Sequence, residues 1–149
     1  MTIRRRLVLA GLPTLIAAAL PAARASGQGR NPFATHKLVL QLSDASVGKQ
    51  KMIVSVANSV LKKWPETSQI DVVAWGPGVV LLYADSPERV AVDSLVRQGV
   101  RFDICMNTIN TIIRRTGHAP AINPLVHKVD YGVPRIMQLV AAGYTLVRP

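Results

Sequence analysis

The sequence predicts an α/β fold: a single three-layer domain with a mainly parallel sheet of five to six strands and helices on both faces. Three observations predict it. Short apolar runs of strand character alternate with longer segments of helical period. Serine, aspartate, proline and glycine punctuate the joins where helices should start and stop. The chain, at 149 residues, is of single-domain size and apolar enough to bury a core without staples.

The N-terminus reads as a targeting segment and is set aside from the fold. Three consecutive arginines, Arg4 to Arg6, precede an acid-free apolar run from Leu7 to Ala23. Ala23-Arg24-Ala25 has the form of an A-x-A cleavage site, which makes residues 1–25 a signal peptide and Ser26 the mature start. The run is short for a bilayer span and holds Pro13 and Pro21, so no membrane span is expected after cleavage. The arginine pair followed by an apolar residue also fits a loose twin-arginine signal, and the choice between that route and general secretion stays open. The expectation is export to a bacterial periplasm. Residues 26–36 are polar and Gly-rich and read as a flexible leader, with the domain at 37–149.

Taken in order, Lys37 to Leu42 is a compact apolar run and the first strand. Ser43 to Ser46 supplies turn and N-cap residues. Lys49 to Trp64 is an amphipathic helix with two apolar rows, Met52, Val56, Val60, Trp64 and Ile53, Ala57, Leu61, ended by Pro65. Gln69 to Trp75 holds the second strand, broken by Gly76-Pro77-Gly78. Val79 to Tyr83 is a third strand or a short buried helix, which periodicity cannot separate. Ser86-Pro87-Glu88 opens a helix whose Ala91, Val92, Leu95 and Val96 face inward, closed by Gly99. Val100, Phe102 and Ile104 alternate with Arg101 and Asp103 as a strand ending on Cys105. A helix follows, with Ile109, Ile112 and Ile113 at helical spacing, Arg114-Arg115 in its last turn and Gly117 as stop. His118 to Pro124 is a loop and Leu125 to Val129 a short strand. Gly132-Val133-Pro134 starts the last helix, with Val133, Ile136, Met137, Val140 and Ala141 as its buried stripe. Tyr144 to Val147 is the final strand.

Composition and motifs exclude several classes. The formal net charge is +10, but four of the arginines leave with the signal while every acid stays, so the domain is only moderately basic. No basic-aromatic interleaving or nucleic-acid motif is present. Gly76-Pro77-Gly78 lacks a phosphate-loop pattern. His36, His118 and His127 show no metal-ligand spacing, and Met106 beside Cys105 is weak ground for a copper site. No cofactor is implied. Hydrolase signatures are missing.

The chemistry therefore centres on the single cysteine. One Cys excludes an internal disulfide, and an unpaired Cys in an exported chain marks a free thiol or an intermolecular partner. A thiol at a strand-to-helix junction faces unpaired backbone N–H groups and a partial positive charge, which favours thiolate. Against this stands burial, the commonest fate of free Cys. In a parallel α/β sheet, ligands and chemistry collect at the carboxyl ends of strands, where Cys105 falls.

Gly99-Val100-(x)3-Ile104-Cys105 with Asn107-Thr108, then Val129-(x)2-Gly132-Val133 and Gly143-Tyr144-(x)4-Pro149, resemble the DsrE/DsrF-like family of sulfur-relay proteins, in particular its branch with a Cys-x-Asn-Thr turn. The resemblance covers roughly the whole mature domain. It implies a flavodoxin-like fold without flavin, assembly as a homo-oligomer (trimer or hexamer), and a cysteine that accepts a sulfane sulfur as a persulfide and passes it to a partner. Cys105 would be that acceptor, with protein sulfur donor and acceptor unidentified. Asn107 and Thr108 match the motif and are expected to cap the helix and orient its N–H groups toward the sulfur. Export is a departure, since the family's relays work in the cytoplasm. Two further readings remain: an oligomeric small-ligand binding module in which Cys105 is merely packed, and a thiol redox sensor that forms an intermolecular disulfide.

Overall fold

The computed structural model describes residues 30–149; the expected signal peptide and the start of the leader lie outside the described residues. The elements are β1 (His36–Leu42), α1 (Val47–Lys63), β2 (Ser68–Ala74), a 3-10 segment (Gly76–Leu82), α2 (Arg89–Arg97), β3 (Arg101–Cys105), α3 (Met106–Thr116), β4 (His127–Val129), α4 (Gly132–Ala141) and β5 (Thr145–Val147). The five strands form one sheet in the order β4-β3-β2-β1-β5, and every pairing is parallel. This is the expected three-layer α/β architecture, with five strands.

The strand order dictates where the helices go. Connections from β1 to β2, β2 to β3 and β3 to β4 all step toward the same edge. Right-handed crossovers therefore put their helices on one face. The connection from β4 returns across the sheet to β5, so α4 must take the opposite face. The cores follow this split. Leu38, Leu40, Leu42, Ile70, Val72, Ala74, Phe102 and Ile104 pack with α1, α2, α3 and the 3-10 segment. The alternate strand residues Val39 and Val73 pack with Ile136 and Leu139 of α4, and with Tyr144. One face thus carries a large apolar core and the other a small one under a single helix.

Local chemistry accounts for most boundaries. Ser46 caps α1, its hydroxyl accepting the Lys49 N–H at 3.4 Å. Gly117 ends α3 in the left-handed region at φ 73°, which glycine adopts without steric cost. The leader is less free than expected at its end: Asn31 Nδ2 donates to the Glu66 carbonyl at 2.6 Å, and Thr35 N–H donates to Thr67.

One open choice is settled and three expectations change. In the ambiguous Val79–Tyr83 run, Val79 to Leu82 belong to the 3-10 segment and Tyr83 is its C-cap, so the helical alternative holds over the strand. Gly78 explains the tight winding, because a Cβ there would run into the Leu42 carbonyl. The helix expected from Ser86 starts at Arg89; Ser86 instead makes a turn, its hydroxyl accepting the Glu88 N–H. In α1 the fully buried side chains are Gln50, Ile53 and Ala57; of the Met52 row, Val56 and Val60 pack partly buried against the core while Met52 and Trp64 are exposed. In α4 the buried residues are Gly132, Ile136 and Leu139, while Val133, Met137 and Val140 are exposed. α4 is apolar on two adjacent stripes, so its pattern alone could not set its rotation.

Phe102 lies at the centre of the larger core with 0 % of its surface exposed. Phe102→Ala is expected to lower unfolding free energy by roughly 3–5 kcal/mol through lost burial and the cavity left behind, read from the midpoint of urea unfolding. A loss below about 1 kcal/mol would mean the site collapses around the gap.

Candidate functional site around Cys105

Neighbouring strands whose connections leave toward opposite faces open a crevice at their carboxyl ends. Here that pair is β3 and β4, because α3 and α4 lie on opposite faces. Cys105 ends β3 and pairs with Val129, the last residue of β4. It is thus where the strand order places a ligand or a reactive group.

The thiol does not address its own helix. Cys105 is the N-cap of α3 but makes no side-chain capping bond. Strand alternation turns its side chain to the face carrying α4, along with Arg101 and Asp103. There Sγ accepts the backbone N–H of Gly132, the first residue of α4, at 3.3 Å. It also faces the Asp130 carbonyl at 3.9 Å, as a weak donor. The Asn107 backbone N–H holds that same carbonyl at 3.0 Å. Gly132 fits because it has no side chain: a Cβ would come within 2.8 Å of Trp75 Cβ and 3.4 Å of Cys105 Cβ. With the Asp130–Gly132 turn against the sulfur, Cys105 is 4 % exposed.

Asn107 and Thr108 do not serve the sulfur as expected. The Thr108 hydroxyl accepts the Gly76 N–H at 3.0 Å and so ties the 3-10 segment to α3. Asn107 is exposed; its contribution near the thiol is its backbone N–H. The reason is geometric: α3 turns away as it leaves the strand, so the side chains after Cys105 project toward the opposite face.

Sequence reading missed the ionic cluster two residues below the thiol. Asp103 and Asp71 are 0 % and 1 % exposed. Arg101 Nε donates to Asp103 Oδ1 at 2.7 Å, and Arg135 Nε, from α4, to Asp103 Oδ2 at 2.7 Å. Arg135 Nη2 reaches Asp71 Oδ1 at 3.2 Å. Asp71 Oδ2 and the Tyr144 hydroxyl are buried with no full-geometry hydrogen bond among the described residues, and the weak contact open to them is with each other. Burial, helped by the Asp103 charge, raises the Asp71 carboxyl above its usual range against the pull of Tyr144 and Arg135. Burial and then the Asp71 charge push the Tyr144 phenol up to about 12. His127, across from Asp103 on β4, is lowered by burial first and then by Arg101. The signal for this cluster was in the sequence: single acids interrupt the apolar runs Ile70-Asp71-Val72 and Phe102-Asp103-Ile104, and a buried acid needs a cation.

Beside the cluster lies a cavity of about 380 Å³, lined by Arg101, Lys128, Asp130, Tyr131, Arg135 and Gln138 among others. Among the described residues no group of three or more His, Cys, Asp or Glu side chains is placed to hold a metal ion, and no helix is long and apolar enough to cross a membrane.

No family model matches the chain, and no curated protein matches it. Among solved structures it is similar to the protein of unknown function MTH1491 from Methanobacterium thermoautotrophicum, at 28% sequence identity and a TM-score of 0.69. That similarity covers 76% of this chain and 99% of the other. It supports the α/β domain and leaves activity open.

Removing one side of the ionic cluster tests its role. Asp103→Ala is expected to cost about 3 kcal/mol, the low end for a broken buried pair, because both arginines lose their shortest partner but keep Asp71. Urea unfolding measures it, and a loss within about 0.5 kcal/mol, as for an ordinary surface substitution, would show that water satisfies the arginines.

Proposed function

We propose that the chain is a DsrE-like sulfur carrier that holds a persulfide on Cys105. The observation that carries the reading is the placement of one free thiol in the β3–β4 crevice with the Gly132 N–H on its sulfur. An N–H aimed at sulfur hydrogen-bonds negative charge there. The motif resemblance supplies the chemistry. In loading, the Cys105 thiolate attacks the outer sulfur of a donor persulfide; a new S–S bond forms, the donor S–S bond breaks, and the donor leaves as thiolate. In unloading, an acceptor thiolate attacks the outer sulfur on Cys105, and Cys105 leaves as thiolate. No net oxidation occurs, and one cysteine suffices in this chain. At 4 % exposure, loading requires a local opening that brings the sulfur to the donor. The reading includes export to a periplasm by way of residues 1–25.

The burial of Cys105 specifically favours a second reading, a small-ligand binding module in which the thiol is packing. Intact mass spectrometry of anaerobically purified protein, with and without reductant after incubation with a sulfane-sulfur donor, separates the two. The expected result is one reductant-labile extra sulfur that is absent from Cys105→Ser, in a chain lacking residues 1–25. A thiol that stays unmodified in the folded protein, and reacts only after unfolding, removes the carrier reading.

The proposal also includes self-assembly through α4, supported by the exposed stripe Val133, Met137 and Val140, with Met137 66 % exposed. The protein is expected to sediment as a trimer or hexamer and Met137→Lys to shift it toward monomer. A monomeric wild-type protein would remove this part.

A further inference from the structure

Asn107 and Thr108, singled out by the sequence and unused at the sulfur, line a separate groove on the opposite face of the sheet. The groove lies between α3 and the 3-10 segment and has a volume of about 320 Å³, at the small end of the roughly 300–1,000 Å³ typical of ligand sites. Its walls are fixed before any ligand arrives. The Gly76 N–H to Thr108 bond, at 3.0 Å, joins them at one end. Gly78 seats the 3-10 segment against Leu42 at a distance no other residue permits.

The lining is apolar in the middle and polar at the ends. Val80, Tyr83 and Ile112 give the apolar surface. Asn107, Thr111 and Arg115 follow at intervals of four along α3, so one helix face carries them all. Asn107 and Arg115 stand about 12 Å apart along the axis, at about 1.5 Å per residue. No acid lines the groove, and no hydrogen bond or ion pair engages the Arg115 guanidinium among the described residues. Arg101, Arg135 and Arg89, by contrast, are each paired with a carboxylate. Arg114, the neighbour of Arg115, turns instead to the Thr111 hydroxyl at 2.8 Å.

We infer that this groove is a binding site for a small monoanion with an apolar body, an aryl or alkyl carboxylate. The carboxylate pairs with Arg115, the body lies on Val80, Tyr83 and Ile112, and Asn107 offers an amide to the far end. Thr108 is a positioning residue that sets the wall spacing. The site is independent of whether Cys105 carries sulfur.

The test is a titration followed in amide ¹H–¹⁵N correlation spectra, with 4-phenylbutyrate as probe and the neutral 4-phenylbutyramide as its control. Saturating shifts are expected at Val80, Tyr83, Asn107, Ile112 and Arg115. The neutral amide, and the carboxylate on Arg115→Gln, are each expected to bind about tenfold more weakly or worse, the loss of a charge-assisted bond. Arg114→Gln removes the same charge from the same helix end and is expected to keep the affinity within about twofold, as a solvent-exposed charge does. Both variants change exposed side chains, and ligand-free spectra that match wild type away from the substitution check that they fold. Absence of saturating shifts at the groove, equal binding of the amide, or equal weakening by Arg114→Gln each overturns the inference.

Discussion

The grip of Arg135 on two buried carboxylates is the interaction on which the second face depends. One helix covers that face, and its apolar surface runs round two stripes. Hydrophobic burial alone would accept more than one rotation of α4. Arg135 reaches Asp103 at 2.7 Å and Asp71 at 3.2 Å, and a planar guanidinium satisfies both only with α4 turned one way. A buried ion cluster adds little net stability over apolar residues of the same volume. Its contribution here is orientation. With α4 so turned, Gly132 falls against Trp75 and its N–H falls on the Cys105 sulfur. The thiol's environment is thus set by residues two positions back on its own strand and one turn along a distant helix.

Strand order explains the uneven layering. Three successive crossovers advance in one direction and build a thick apolar layer. A single return crossover must span β3, β2 and β1 before β5 can pair with β1. Four elements thus share one layer and α4 stands alone on the other. The carboxylates Asp71 and Asp103 face the thin layer, where arginine side chains reach them from the start of β3 and from α4. On the thick side they would displace Phe102 and Ile104 from an apolar core, with no cation in reach.

Element type was legible in the sequence wherever period and punctuation agreed. β1, β2, β3 and α3 stand within a residue or two of their expected bounds. The Val79–Tyr83 run was not, because a continuous apolar stretch has no period; the steric demand at Gly78 that winds it comes from Leu42, 36 positions earlier in the chain. The face of α4 was illegible for a similar reason, since Arg135 and Gly132 select it through partners on β2 and β3. Cys105 was placed correctly at the end of a strand. The donor to its sulfur was not, because local sequence points to α3 whereas topology brings α4.

The Cys-x-Asn-Thr stretch shows why contiguity is a poor guide to a shared site at a strand-to-helix junction. Within β3 the side chains alternate, which commits Cys105 to the α4 face. From Met106 the chain turns about 100° per residue, as any α-helix does, and α3 packs on the other face. Two residues beyond the thiol, Asn107 and Thr108 therefore belong to the α3 and 3-10 layer. The Thr108 hydroxyl meets Gly76, and the Asn107 backbone alone still touches the turn over the sulfur. The junction is one point in sequence and two in space. Its backbone serves the thiol side, its side chains the groove side, and a substitution at Asn107 or Thr108 acts on the second while leaving the hydrogen bonds of the first in place.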